Sequence, residues 1–301
     1  QMMLLDSIGA GFDAGRLTAA DLVSGLETSA GGSAAAMYSS IDMIAPLKAM
    51  LDEDGKAQLA NWIETTYGPV WTYLSERPAT ALSTSEHLLA PALWNLLLED
   101  GNRADDRAEI AGRAKAYLGI GQDADPAALP AEDLYAAVAA GVENGDRDFY
   151  QGAIDFVRNS ENQTERATIL SAIAGEGTPE IVTDLFKLSL GDDISGNELY
   201  SIYNYSIANP KAQSTIWPMV KDNFENILAK IPVIRKPQTA KAAGAFCTAD
   251  GVADAKSFFE SKADLIPGYE RSLAQGVERG ENCSALRANA AEQVKVIFAE
   301  D

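Results

Sequence analysis

Apolar residues recur at three- and four-residue spacing along almost the whole chain, interrupted roughly every 12 to 20 residues, and alternating apolar–polar runs are nearly absent. That pattern restricts the fold to packed helices. Leu4, Leu5, Ile8 and Phe12 form the first stripe, and a capping-box pair, Thr18 and Asp21, opens a second helix through Leu22, Val23 and Leu26. Two longer stripes run Met37–Leu51 and Leu59–Leu74, with a kink or break expected at Pro46 and Pro69. A second capping box, Ser83 and Glu86, opens Leu88–Leu98, and Arg107–Leu118 follows the turn at Asp100, Gly101 and Asn102. The same spacing predicts helices at Asp133–Val142, Arg147–Val157, Thr164–Ile173, Pro179–Leu190, Asn197–Ile207, Gln213–Leu228, Val252–Ala263, Gly268–Arg279 and Ser284–Phe298.

Between Asn159 and Leu228 the helix starts, near Thr164, Thr178, Ser195 and Lys211, become nearly regular. Two helices per roughly 30 to 47 residues is the period of helical-hairpin repeats, whose hairpins bury their apolar faces only by stacking on the next. The expected fold is therefore all-α: a HEAT- or armadillo-like α-solenoid of about sixteen helices in antiparallel pairs. Residues 1–301 are expected to form a single superhelical domain, since no Gly/Ser linker or charge block divides them, and Gly121–Pro130 reads as an interhelical loop.

Composition excludes several functions. With 24 Lys plus Arg against 44 Asp plus Glu the net charge is −20, so phosphate backbones and anionic lipid are poor partners. No nucleic acid and no membrane partner is expected, and no apolar run is long enough for a transmembrane helix. Gln1–Leu5 lacks the features of a signal peptide and points to a processed fragment. His87 is the single histidine, whereas catalytic zinc usually takes two or three imidazoles and a triad hydrolase places one beside its nucleophile. HExxH, GxSxG, CxxC and GxxxxGK[ST] are all missing. Residue chemistry alone describes no enzyme, no catalytic or metal-binding residue and no cofactor.

The remaining candidates are few. Paired acids at Glu99 and Asp100, Asp105 and Asp106, and Asp192 and Asp193 lack calcium-loop spacing and read as helix ends facing water. The segment Lys230–Lys241 gathers Lys230, Arg235, Lys236 and Lys241 around Pro232 and Pro237; it is either a solvated loop or a site for a carboxylate such as a peptide C-terminus. Tyr200 and Tyr203 share a helix face, as interhelical packing or as peptide contacts. Cys247 and Cys283 are two buried thiols or a disulfide; a bridge across that separation would contribute about 3 kcal/mol on the chain-entropy model.

From Asn162 to Cys283 the chain resembles a known family. Glu165, Arg166, Ile169, Leu170 and Ala172 before Pro179, then Asn209 and Pro210, Trp217, Val220, Lys221, Asn223 and Phe224, then Phe246, Cys247, Phe258, Phe259, Pro267, Gly268, Arg271 and Glu278 resemble the C-terminal helical domain of aminopeptidase N-type gluzincin zinc metallopeptidases, which include the endoplasmic reticulum aminopeptidases. The resemblance implies a non-catalytic domain that caps the catalytic domain of the same polypeptide and encloses a cavity for N-terminal trimming of peptide substrates. Zinc would belong to the catalytic domain, since the family's GxMEN and HExxH motifs are missing here. Secreted members resemble this chain in having a cysteine pair at these places, which implies that Cys247 and Cys283 are bridged and the protein extracytoplasmic, periplasmic or secreted; unbridged, it would be cytoplasmic. Peptide-contact candidates are Tyr200, Tyr203, Arg235 and Lys236. The alternative is a free-standing HEAT-like scaffold for protein–protein interaction.

Overall fold

Side-chain caps set eight of the helix starts among the described residues. The Thr18 hydroxyl accepts from the Asp21 N–H while Asp21 accepts from the Thr18 N–H, and Ser83 with Glu86 and Ser195 with Glu198 repeat that reciprocal arrangement. The computed structural model describes residues 2–299 and, among them, contains sixteen α-helices and no strand.

Residues up to Ala104, together with those from Ser284 onward, make one compact unit. It holds α1 (Met2–Asp13), α2 (Ala19–Ala30), α3 (Ala34–Ser40), α4 (Ala45–Lys48), α5 (Glu53–Ser75) and α6 (Thr84–Asp100). Phe12, Leu22, Leu26, Ile44, Leu47, Leu59, Ile63, Leu93 and Leu97 are wholly buried in its core. Each such side chain contributes roughly 1.5–3 kcal/mol of burial free energy. The stripe expected over Met37–Leu51 is broken by a 3-10 turn at Ile41–Met43, and α4 restarts beside Pro46, where a missing N–H does no harm. Pro69 behaves differently from Pro46, because α5 runs through it without a break.

The second unit, Asp105–Cys283, takes in most of α7 (Ala104–Leu118), then α8 (Leu134–Val142), α9 (Arg147–Asn159), α10 (Gln163–Glu176), α11 (Pro179–Ser189), α12 (Gly196–Ala208), α13 (Gln213–Asp222), α14 (Phe224–Lys230) and α15 (Ala249–Ser261). Here α8, α10 and α12 lie side by side, followed by a 3-10 stretch, Val233–Ala245, while α9, α11 and α13 pack over the joins. Alternate helices thus share a layer, as stacked hairpins require. The expected helix Gln213–Leu228 is two, parted at Asn223. The two final helices expected from the sequence are one, α16 (Glu270–Ile297), whose residues up to Cys283 belong to the second unit and whose remainder belongs to the first.

Polar and steric devices set the register of the second unit. Arg166 and Glu198 are both buried and meet in two parallel bonds, Nε to Oε1 at 2.7 Å and Nη2 to Oε2 at 3.2 Å. Arg166 also donates to the carbonyls of Val157 and Asp193, so one guanidinium joins α9, α10 and the start of α12. Burial pushes the Glu198 carboxyl up, but bonds from Arg166 and from the Ser195 N–H and hydroxyl outweigh it, leaving its pKa below the ordinary value. At the far end of the unit, a Cβ at Gly276 would lie 2.9 Å from the Lys241 carbonyl oxygen, and one at Gly280 would lie 2.9 Å from that of Phe246. Only glycine lets α16 approach the 3-10 backbone so closely.

Candidate peptide-contact site

The basic segment, read from the sequence as a solvated loop or a carboxylate site, is regular. Val233–Ala245 is a 3-10 helix thirteen residues long, well beyond the usual three or four. Its length follows from its neighbours: Ala240, Ala242 and Ala243 are small enough to bury against α12, α15 and α16, and Pro232 and Pro237 suit its tight turn. Thr239, also wholly buried, accepts from the Tyr203 hydroxyl through its backbone carbonyl at 2.9 Å.

The four residues singled out from sequence are brought together here, at different depths. Tyr203 is fully enclosed and ties α12 to the 3-10 helix; burial drives its phenol pKa far upward, so it stays a hydroxyl donor. Tyr200 stacks on Tyr203 with centroids 6.4 Å apart and an interplanar angle of 17°. Above Tyr200 lies the guanidinium of Arg235, 5.1 Å from the ring centroid, and Arg235 donates to Gln238 at 2.9 Å. Lys236 is half-buried, and its backbone carbonyl accepts from the Thr239 hydroxyl. Val233 and Ile234 precede them with 78% and 74% of their surface exposed. Tyr200 and Arg235 therefore present the surface, with Tyr203 as the support beneath.

Lys230 takes no part in that surface. Its ammonium donates to the carbonyls of Ser189 and Gly191 and so satisfies the C-terminal end of α11. Sequence reasoning passed over Gln238 and the thirteen-residue 3-10 helix, whose period of three leaves no stripe at helical spacing.

Other chemistry-bearing residues are structural or solvated. His87 is exposed in the first turn of α6. Among the described residues no group of His, Cys, Asp and Glu is placed to hold a metal ion, and no helix is long and apolar enough to cross a membrane. In the first unit an open hollow of about 350 Å³ is floored by Phe12 and Leu22 and edged by Asp6, Asp13 and Asp42. Burial raises the Asp13 carboxyl, but the lining supplies no base–nucleophile pair.

The residues that carry the resemblance are chiefly packing and capping groups. Asn209 is buried, its carbonyl accepting from the N–H groups of Lys211 and Ala212 and its amide donating to the carbonyls of Ala174 and Gly177. Trp217 donates its indole N–H to Asp254 at 2.6 Å and packs against Phe246, Phe258 and Phe259. Cys247 and Cys283 are joined by a disulfide, with Cα atoms 5.1 Å apart, tying the end of the 3-10 region to α16.

The family described as "ERAP1-like C-terminal domain" matches residues 1–282, running through both units. A relative from Oryza sativa subsp. japonica, "Aminopeptidase M1-B", is 22% identical over 147 residues. That match takes in 48% of this chain and 16% of the relative, so the chain corresponds to a small part of the relative's length.

Proposed function

Because the chain belongs to the ERAP1-like C-terminal domain family, we propose that it is the non-catalytic C-terminal domain of a zinc-dependent aminopeptidase. In this reading residues 1–301 act as one helical domain that caps the catalytic domain of the same polypeptide. They enclose the space in which peptides are trimmed from the N-terminus. The observation that carries the reading is the family match across both units, and the small share of the relative that the chain covers fits a piece of a longer enzyme.

Zinc belongs to the catalytic part in this reading, where it would activate the attacking water. The described residues of this chain do not fit such a site, with one exposed imidazole and no cluster of ligands. The chain's own contribution is shape and peptide contact: Tyr200 and Arg235 offer an aromatic face and a guanidinium for the distal part of a peptide, with Lys236 beside them and Tyr203 holding Tyr200 in place. The disulfide supports an extracytoplasmic setting, periplasmic or secreted.

The test is twofold. The purified chain, incubated with zinc and aminoacyl anilides, is expected to show no turnover, and the gene upstream is expected to encode an in-frame HExxH domain. Turnover that survives removal of contaminating peptidase, or a start codon directly before this chain, would overturn the reading and leave a free-standing scaffold.

A further inference from the structure

The 3-10 period turns the basic segment into a straight edge. In a 3-10 helix side chains three apart eclipse one another, each turn rising about 6 Å. Arg235, Gln238, Lys241 and Gly244 therefore fall in one row. Two observations support that placement. Arg235 donates to Gln238, three residues on. Arg235 and Lys241 are exposed and Gln238 and Gly244 half-exposed, whereas Thr239, Ala240, Ala242 and Ala243 between them are buried.

Gly244 completes the row by having no side chain. A Cβ there would meet the Cβ and Cδ of Arg279 at 3.2 Å, so the stem of Arg279, from α16, crosses the place where the next residue of the row would project. Arg235, Lys241 and Arg279 thus extend one cationic line, and none of them has a carboxylate partner among the described residues. In a chain of net charge −20, three aligned cations without internal acids make a local positive edge that attracts an anion.

We propose that the row Arg235, Lys241 and Arg279 binds an extended acidic peptide segment whose alternate residues face successive rungs of the row, with carboxylates at Arg235, Lys241 and Arg279 and a polar residue at Gln238, and the exposed Val233 and Ile234 taking an apolar residue at its end. The match is one of spacing. Alternate residues of an extended strand project to the same side about 6.6 Å apart, close to one 3-10 turn. Carboxylates meeting Lys and Arg make charge-assisted hydrogen bonds. A nucleic acid fits poorly, because its continuous phosphate charge would face the surrounding excess of acidic residues as well as the row. The proposal rests on the peptide-contact reading of Arg235 but not on attachment to a catalytic domain, so its failure and that of the aminopeptidase reading are separately visible.

The experiment titrates the 301-residue chain, by fluorescence anisotropy at low ionic strength, with labelled peptides that differ only in their acids. A peptide with Glu at alternate positions is expected to bind at least about tenfold tighter than its Gln counterpart, and tighter than one with the same Glu residues adjacent, with affinity falling as salt is added. Lys241→Gln with Arg279→Gln, both exposed, is expected to remove most of the preference for the Glu peptide, Arg235 alone remaining, while Lys241→Arg retains it. As a second measurement, Lys241→Glu should favour a peptide in which Lys replaces only the Glu that faces residue 241 over the all-Glu peptide. Equal affinity for Glu and Gln peptides, no loss in the double variant, or binding of oligothymidylate as tight as that of the Glu peptide would each overturn the proposal.

Discussion

The two units use different means to hold helices in register. In the first, α5 and α6 lock through apolar side chains such as Leu59, Ile63, Leu93 and Leu97, and its ion pair between Arg103 and Glu64 keeps 20% and 26% of its side-chain surface in water. In the second, the comparable pair between Arg166 and Glu198 is down to 10% and 4%, and a disulfide and close glycine contacts reinforce the packing. Apolar stripes tolerate small shifts because their contacts are not directional. A buried guanidinium does not, since every displaced bond leaves a charge unpaired. The residues quoted for the family resemblance all lie in the second unit, where geometry is keyed by specific groups; the first is held mainly by apolar packing.

The largest effect expected from this contrast follows removal of one partner of the buried pair. Glu198→Ala strands the Arg166 charge and also removes half of the capping box at Ser195, so a loss of about 3–5 kcal/mol is expected. Trp217 lies in the second unit and the other three tryptophans, Trp62, Trp71 and Trp94, in the first, so fluorescence of a chain retaining only Trp217 follows the second unit by itself. Urea denaturation of Glu198→Ala on that background should show the early transition. Replacing both partners by apolar residues, Arg166→Met with Glu198→Leu, should recover much of the loss, because no charge is then left buried. An unchanged midpoint in the single variant would remove the pair from the account of register.

Breaking the disulfide should cost somewhat less. Closing a loop across a separation of 36 residues restricts the unfolded chain by about 3 to 4 kcal/mol. Cys247→Ala with Cys283→Ala is therefore expected to lower the Trp217 transition by that amount while leaving the burial of Phe12, Leu26 and Ile63 in place. Denaturation of oxidised and reduced protein measures it directly, and coincident curves would contradict the constraint.

Much of the all-α pattern was legible in the sequence because caps and stripes coincide: Thr18, Ser83 and Ser195 each cap where the periodicity begins. Two of the misses share a physical cause, which is that small residues leave no stripe. α16 looked like two helices because Gly276 and Gly280 make its closest contacts with backbone, where a stripe would need large side chains. The 3-10 helix was hidden in the same way, its buried positions being Thr239, Ala240, Ala242 and Ala243. Asn223 parts α13 from α14 although Val220, Phe224 and Ile227 keep helical spacing through the break. Of the site, residue types and their gathering were legible. Depth was not: Tyr200 and Tyr203 share a face at three spacing, and only the seating of the Tyr203 hydroxyl on the Thr239 carbonyl separates surface from support.

Acid offers a smaller effect that also separates the units. The folded-state pKa of Glu198 is depressed, so its contribution is complete above the ordinary carboxylate value of 4.5 and is lost as pH falls through the lower folded value. The Trp217 transition should therefore weaken below about pH 4.5, and Glu198→Gln should flatten part of that dependence. Asp254, whose carboxyl is lowered by the Trp217 indole and by Lys221, loses stabilisation in the same direction, so the Glu198→Gln difference, not the whole slope, is the quantity that counts. A slope identical in wild type and variant would contradict the assignment.

The smallest expected effect is the control in the first unit. Arg103→Gln removes a guanidinium that bonds Glu64 from Nε at 3.0 Å and Nη2 at 3.2 Å, a geometry close to that of Arg166. If geometry alone decided the value of such a pair, the two losses would match. Glu64 can instead be hydrated when its partner leaves, because a quarter of its side chain already meets water, so the expected loss is about 1 kcal/mol or less. High salt should shrink it further, while the Glu198→Ala loss should barely respond. Equal losses at the two sites would place the difference between the units in something other than burial.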